Sequence, residues 1–294
     1  MTKMVCILCE NQKLELISSH VRDSKKYKVV KCIKCKHVQL FPIPTRQEDR
    51  DFYDKELQNK AINQDFKLTE LKEMNSYDVE RRSALIQKLL PKSKKILEIG
   101  SGDGFFLEKM VECDYDMTGI EISRQRRDRS KKITNAKILD IDFSEKIPNI
   151  GKFDAVVLFH VLEHLHDPIN FLKNISKLLE PKGKVIVEVP NFDDHQIKTN
   201  STYKNWQLQR AHIHYFTPKI LKNVFSQAGL SVKISGIQRY SIENMFFWKI
   251  NNKPQIKNPK FNLENEYSWI EKYYKKYLEK KILSDTIIAI GDLK

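Results

Sequence analysis

A glycine-rich turn in the middle of the chain constrains the fold more than any other feature. The run 94–99 is apolar enough for a buried strand, and the turn Gly100-Ser101-Gly102-Asp103-Gly104 follows it directly. Residues 105–112 then have the spacing of a helix. A strand that enters a helix through glycines lets the backbone approach a ligand closely at the helix N-terminus. The sequence therefore predicts a ligand site at this turn.

The spacing of the glycines separates this turn from dinucleotide-binding sites. Phe105 stands where a dinucleotide-binding fold needs its third glycine, and an acid, Glu98, precedes the first glycine by two residues. The pattern E-x-G-x-G-x-G resembles motif I of class I S-adenosylmethionine (SAM)-dependent methyltransferases. The resemblance implies that Glu98, Gly100, Gly102 and Gly104 surround the methionine and ribose parts of SAM.

Three further predicted strands end in residues that suit the same cofactor. These strands are 117–120, 136–139 and 153–159. Glu121 ends the first, about 20 residues beyond the turn, where a carboxylate can accept both ribose hydroxyl protons. By the resemblance, Asp140 contacts the adenine amine, with Asp142 as the open alternative. Phe159 and His160 would face the sulfonium and the acceptor.

Alternation of strands and helices predicts the architecture. Helices are expected at 78–90 and 168–179, a turn at 181–184, and further strands at 185–189 and 286–290. This order is typical of an α/β, Rossmann-like, doubly wound sheet of seven mostly parallel strands. The predicted units are a zinc-binding module (1–50), a helical linker or lid (51–92) and a methyltransferase domain (93–294) with acceptor-binding insertions at 191–216 and 236–285.

Four cysteines form two pairs near the N-terminus. Cys6-x-x-Cys9 and Cys32-x-x-Cys35 are separated by 22 residues, and two short strands are expected between them. In a cytosolic protein such pairs favour metal ligation over disulfides. Four thiolates predict a structural, tetrahedral Zn²⁺ in a zinc-ribbon-like module, because no position is left for chemistry. Structural or redox cysteines without metal are the alternative.

The segment after the fifth predicted strand carries candidate catalytic histidines. The run 211–218 resembles a segment of methyltransferases that modify sugars and other small metabolites. Where related sugar C-methyltransferases have Tyr-x-Glu-His, this chain has Gln209 and Ala211 before His212. The difference favours methylation of oxygen, with His212 as the general base and His160 as the second choice.

A second segment points to the same substrate class. The run 236–244 resembles methyltransferases of bacterial surface-polysaccharide loci, which implies a sugar, nucleotide-sugar or glycan-precursor acceptor. The residues expected to contact this acceptor are His164, Arg210, His214, Gln238, Arg239 and Asn244.

Other functions remain open or are disfavoured. The net charge of +14 keeps an RNA methyltransferase with a zinc finger as the alternative, although no interleaved basic and aromatic stripe is present. A zinc-stabilised binding protein without catalysis is a third possibility, which the intact glycine turn opposes. The run 160–164 matches H-x-x-E-H of a zinc peptidase group, but a strand runs into it where a helix is needed. With no long apolar run or signal segment, we expect a cytoplasmic protein without a membrane span.

Overall fold

Two β-sheets and the helices around them form the part of the chain that the computed structural model describes, residues 4–54, 67–92, 94–142, 148–255 and 267–294. The strands are β1 (Leu14–Ser18), β2 (Lys28–Cys32), β3 (Val38–Phe41), β4 (Lys95–Ile99), β5 (Asp116–Ile120), β6 (Lys137–Leu139), β7 (Phe153–Phe159), β8 (Leu179–Pro190), β9 (His214–Tyr215), β10 (Leu230–Ile237) and β11 (Thr286–Leu293). The helices are α1 (Arg46–Asp54), α2 (Leu68–Leu89), α3 (Phe105–Glu112), α4 (Arg124–Ile133), α5 (Pro168–Ser176), α6 (His195–Thr199), α7 (Ser201–Gln207), α8 (Pro218–Gln227), α9 (Ile242–Asn251) and α10 (Ser268–Lys281), with a 3₁₀ turn at Leu162–His164.

The larger sheet has the predicted seven strands. Its order is β10-β11-β8-β7-β4-β5-β6, and the pairs from β8 to β6 are parallel while β11 is antiparallel to both of its neighbours. The chain order reverses between β4 and β7, the point at which ligands bind in open α/β sheets. The prediction of a Rossmann-like, mostly parallel sheet is confirmed.

Helices cover both faces of this sheet, so its central strands are apolar on both sides. On β4, Leu97 belongs to the cluster that packs under α5 and α8, whereas its neighbour Ile96 belongs to the cluster under α2 and α3. Both side chains are 0% exposed. Because successive side chains on a strand point to opposite faces, a short apolar run here anchors helices on both sides.

Three predicted features differ from the structure. The helix expected to begin at Asp78 begins at Leu68. The expected helix 168–179 ends at Ser176, and the expected turn 181–184 lies inside β8, which begins at Leu179. Pairing of Leu179 with Phe153 supplies backbone hydrogen bonds there that local turn residues do not reveal.

The smaller sheet joins the N-terminal segment to the larger domain. Its order is β1-β2-β3-β9, and β9 comes from the segment predicted to be an acceptor-binding insertion. Val38 pairs with Tyr215, and Val29, Leu40 and Leu208 share one apolar cluster with them. The N-terminal segment therefore completes its sheet and its core with residues from beyond the larger sheet's fifth parallel strand, β8.

Within the described ranges, no helix combines the length and the apolar character that crossing a membrane requires.

Candidate active site

A cavity of about 680 Å³ opens where β4, β5, β7 and β8 end. Its lining includes Gly100, the first residue of the glycine turn, and Glu121 after β5. It also includes residues of distant segments, among them His212, Arg239 and Asp285. Its volume is ordinary for a small-molecule site. The cavity thus brings together some of the predicted cofactor residues and some of the predicted acceptor residues, while Gly102 and Gly104 are not among the described residues that line it.

Glycine is needed in the turn for two different reasons. Gly104 has φ +86°, and a Cβ there would collide with the hydroxyl of Ser130 on α4. Gly102 has φ +57°, and no described atom lies within 4 Å of where its Cβ would stand. The turn thus packs tightly on its protein side and leaves space beside Gly102.

Glu121 is held rigidly at the end of β5. Its side chain is nearly buried, at 5% exposure, and its two carboxylate oxygens accept backbone N–H groups of Gly102 and Ser123, each at 2.8 Å. Because each carboxylate oxygen can accept two hydrogen bonds, acceptor capacity remains toward the cavity.

The two aspartates after β6 have different surroundings. Asp140 accepts a hydrogen bond from Arg127 at 2.6 Å, and it is not among the described residues that line the cavity. Asp142, two residues later, lines the cavity.

Glu98, on β4 just before the glycine turn, is not among the described residues that line the cavity. Its side chain is 4% exposed. Burial raises the pKa of this carboxyl to about 8; the charge of Arg82 opposes the shift and that of Glu121 adds to it. Glu98, which the resemblance placed beside the cofactor, is therefore a buried carboxyl outside the described cavity lining.

Sequence reasoning missed a buried charge network on the wall of the cavity. Glu188 on β8 is 0% exposed and accepts two hydrogen bonds from Arg81, at 2.9 and 3.0 Å, and one from Arg82 at 2.6 Å. Burial acts to raise the pKa of Glu188, but Arg82, His160 and Arg81 hold it well below the ordinary value. On the same wall, Arg239 donates to Asp78 at 2.8 Å. The residues paired in this network lie about 80 to 160 positions apart in the sequence. The only sequence feature that indicates the network is the pair of adjacent arginines in an amphipathic helix.

His160 lies between two buried carboxylates. It follows β7 directly and has φ +58°, an uncommon conformation for a residue other than glycine. Its Nδ1 is 3.5 Å from Glu163 and its Nε2 is 3.3 Å from Glu188, while Arg239 lies 3.1 Å from Nε2. Burial and the charge of Arg239 act to lower the pKa of His160, but the two carboxylates outweigh them and raise it. Both His160 and its neighbour Phe159 line the cavity.

His212 lines the same cavity and is 7% exposed. The side-chain amide nitrogen of Gln209 is 2.8 Å from Nε2 of His212, and Arg22 fixes that amide by donating to its oxygen at 2.8 Å. Burial lowers the pKa of His212 to about 3, with His164 adding to the shift. The N-terminal segment therefore helps to orient a predicted catalytic residue.

Two of the six predicted substrate contacts, His164 and Arg239, line the cavity, and four are not among the described lining residues: Arg210, His214, Gln238 and Asn244. His214 bridges the N-terminal sheet to the cavity wall, with Nε2 donating to the Leu165 carbonyl at 2.8 Å and Nδ1 lying 3.0 Å from His37. The amide of Gln238 donates to the Tyr240 carbonyl at 2.9 Å. The hydrogen bonds of His214 and Gln238 thus end on the backbone of residues that line the cavity, Leu165 and Tyr240.

The four predicted zinc ligands come together. All four sulfur atoms lie within 4.8 Å of one another, and the pairs Cys6–Cys35 and Cys9–Cys32 are each 3.6 Å apart. Zinc–sulfur bonds of about 2.3 Å in a tetrahedron place sulfurs about 3.8 Å apart. The donor set and its spacing therefore fit a tetrahedral Zn²⁺.

Comparisons with known proteins agree with this geometry. A family model described as "Methyltransferase domain" matches residues 73–233, which is more than half of the chain. Among curated relatives, ubiquinone biosynthesis O-methyltransferases of Actinobacillus pleuropneumoniae and Coxiella burnetii are 27% and 26% identical over 108 and 126 residues. These alignments cover 33% and 41% of this chain and 46% and 54% of the relatives, so the chain spans about half the length of the curated relatives it matches.

Solved structures share the fold at low sequence identity. The plantazolicin methyltransferase BpumL, in complex with a monoazolic desmethylPZN analogue and SAH, is 16% identical with a TM-score of 0.53, over 84% of this chain and 92% of that one. The magnesium protoporphyrin IX methyltransferase (ChlM) from Synechocystis PCC 6803, with bound SAH, is 10% identical with a TM-score of 0.53, over 85% of this chain and 100% of that one. At these identities the likeness shows the fold alone.

Proposed function

The chain belongs to the methyltransferase domain family, and from that premise we propose that it transfers the methyl group of SAM to a hydroxyl oxygen of a small polar acceptor. Membership of the family confirms the methyltransferase class expected from the glycine turn. The observation that carries the finer proposal is the cavity itself. It is lined both by Gly100 and Glu121 and by the imidazoles of His160 and His212.

The cofactor would occupy the end of the cavity beside the glycine turn. Glu121 accepts the two ribose hydroxyls, because its carboxylate is already oriented by two backbone N–H groups. We assign the adenine amine to Asp142 in place of Asp140, since Asp142 faces the cavity while Asp140 is paired with Arg127. The sulfonium then lies near Phe159, at the end of β7.

The chemistry required of the protein is mainly alignment and removal of one proton. The acceptor oxygen attacks the methyl carbon in line, so that a carbon–oxygen bond forms as the carbon–sulfur bond breaks and S-adenosylhomocysteine leaves. The hydroxyl proton passes to an imidazole. We favour His160 over the sequence-based first choice, His212, because the carboxylates of Glu163 and Glu188 flank His160 and can stabilise the imidazolium formed.

The lining of the acceptor end supports a hydroxyl-rich acceptor such as a sugar or nucleotide-sugar. It combines charged groups of both signs with neutral hydrogen-bonding side chains, namely Asn75, Asn170, Tyr203, Gln207 and Gln209. Such a set can donate to and accept from several hydroxyls at once. The names of the curated relatives, O-methyltransferases, support oxygen as the methylated atom.

We also propose that Cys6, Cys9, Cys32 and Cys35 hold a structural Zn²⁺. Four thiolates leave no open position on the ion, so its contribution is to the stability of the smaller sheet. That sheet includes β9 and carries Arg22, which holds Gln209 against His212. The zinc site therefore supports the acceptor end of the cavity through the fold.

Two measurements test the proposal in sequence. Calorimetric titration of S-adenosylhomocysteine should give binding with one ligand per chain, and absence of binding would reject the cofactor assignment. SAM is then supplied with a panel of nucleotide-sugars, and S-adenosylhomocysteine formation is measured by mass spectrometry. Turnover with a nucleotide-sugar and none with RNA is expected; turnover with RNA alone would reject the small-molecule acceptor.

A further inference from the structure

We propose that the exposed face of α10 binds the nucleoside diphosphate part of the acceptor, with its phosphates on Lys272 and Lys276 and its base against Tyr273. This inference rests on the proposed methyl transfer to a small polar acceptor, and it selects a nucleotide-sugar over a free sugar. The face lies outside the described cavity lining and adjoins it.

Three large aromatic side chains are exposed on α10. Trp269, Tyr273 and Tyr277 are 67%, 69% and 49% exposed, and they follow one another at intervals of four residues. Residues four apart lie on the same side of a helix. The rings of Tyr273 and Tyr277 are nearly parallel, with an interplanar angle of 18° and centroids 6.4 Å apart. Exposed rings in such a row offer faces on which a nucleobase can stack.

A row of lysines runs beside these rings. Lys272, Lys276 and Lys280 are exposed, and none of them pairs with an acid among the described residues. Lysines that neutralise phosphates next to aromatic rings that stack on bases are the usual elements of a nucleotide-binding surface. The expectation that no basic and aromatic stripe is present was therefore wrong, because its members adjoin only on the surface of the helix.

The charge of this face argues against a second copy of the chain as its partner. In a symmetric dimer the same surface of each copy meets the other, so the lysine rows would repel each other. An acidic ligand of small size is complementary to the face.

α10 packs beside the segment that follows β10. Glu271 accepts a hydrogen bond from the backbone N–H of Ile242 at 2.9 Å, and Glu279 accepts one from the backbone N–H of Gln238 at 3.0 Å. Tyr240, which lies between these two contacts, lines the cavity. One side of α10 is thus fixed against the cavity wall.

Lys275 joins the same side of α10 to α2. Its Nζ donates to the hydroxyl of Tyr77 at 3.3 Å and lies 4.5 Å from the centroid of the Tyr77 ring. Asp78, the next residue of α2, lines the cavity. Glu271, Lys275 and Glu279 are four residues apart, so they mark the row of α10 that faces the cavity wall.

The order of these three rows matches the covalent order of a nucleotide-sugar. A helix turns about 100° per residue, so Lys272 and Lys276 lie between Lys275 on the cavity side and Tyr273 on the far side. A nucleotide-sugar likewise carries its diphosphate between sugar and nucleoside. With the sugar in the cavity, the phosphates reach the lysines and the base reaches the rings.

The test is calorimetric titration of uridine diphosphate (UDP) in the presence of S-adenosylhomocysteine. We expect one UDP to bind per chain, more weakly as salt is added. K272Q/K276Q and Y273A should each weaken this binding at least about fivefold, through loss of two charges or of one stacking ring. K219Q/K222Q, which removes the same charge from two exposed lysines of α8, should leave UDP affinity unchanged.

Each variant is also titrated with S-adenosylhomocysteine alone, and near-ultraviolet circular dichroism checks its fold. Absence of UDP binding, or equal UDP affinity in K272Q/K276Q and K219Q/K222Q, would overturn the proposal even where S-adenosylhomocysteine binds. Equal affinity in Y273A and wild type would overturn the placement of the base. Tighter binding of an oligouridylate than of UDP would overturn the proposal by assigning the face to RNA. UDP binding that depends on Lys272 and Lys276 in protein unable to bind S-adenosylhomocysteine would retain the surface and reject methyl transfer.

Discussion

Replacing Glu121 by glutamine tests the cofactor assignment with the least change in shape. Each carboxylate oxygen of Glu121 accepts a backbone N–H at 2.8 Å, from Gly102 and from Ser123. Glutamine keeps one acceptor oxygen, and its amide nitrogen must then face one of these two donors. The substitution therefore removes a charge-assisted hydrogen bond to the ribose and disturbs the turn that binds the methionine part.

The expected magnitude follows from that loss. A hydrogen bond to a charged group contributes about 1.5 to 3 kcal/mol, and about 1.4 kcal/mol corresponds to a tenfold change in Kd. E121Q should therefore bind S-adenosylhomocysteine about 10- to 150-fold more weakly than wild type.

The assay is calorimetric titration of S-adenosylhomocysteine into wild type, E121Q and D140N, with Tm measured for each. Asp140 is the matched control, because it is an acid of the same region that pairs with Arg127 and is not among the described residues lining the cavity. Wild-type affinity in a folded E121Q, or an equal loss in D140N, would refute the placement of the cofactor.

Three further predictions follow from other parts of the structure. D142N should weaken S-adenosylhomocysteine binding about 10- to 150-fold in the same titration, through loss of one hydrogen bond to a charged group; an unchanged Kd would return the adenine to Asp140. Burial, with the charge of Asp285 adding to it, raises the pKa of Asp194 to about 7, so the folded protein loses stability as pH rises from about 4 to about 7. The D194N variant has no such pH-dependent loss. In urea unfolding, its free energy of unfolding should exceed that of wild type by about 1 to 4 kcal/mol at pH 8 and should equal it at pH 4. Equal free energies of unfolding at both pH values would contradict the raised pKa of Asp194. Removing zinc with a chelator should lower Tm and speed hydrogen exchange across 206–216, because that segment completes the smaller sheet. The affinity for S-adenosylhomocysteine should change less than threefold. Unchanged hydrogen exchange in this segment would show that the metal does not support the acceptor wall.

Features encoded in contiguous residues could be predicted from the sequence. The strand before the glycine turn, the turn itself and the helix after it are consecutive, so their apolar period and their glycines reveal them together. The same holds for the two cysteine pairs, each of which lies within one tight turn. Such patterns determined the fold class, the cofactor loop and the four candidate metal ligands, because local conformation dictates each of them.

Contacts between distant segments were decided only by the tertiary structure. Arg81 and Arg82 find Glu188 more than 100 residues away, and no periodicity marks such a pairing. After β6, Asp140 accepts a hydrogen bond from Arg127 and is not among the described residues that line the cavity, whereas Asp142 lines it. The sequence alone does not distinguish these two aspartates. The burial of His212 and the pairing of β9 with the N-terminal sheet likewise depend on contacts between residues far apart in the sequence. A sequence records which side chains are present, whereas their desolvation and their partners depend on which segments fold together, and this is why the glycine turn could be predicted and the buried charge network could not.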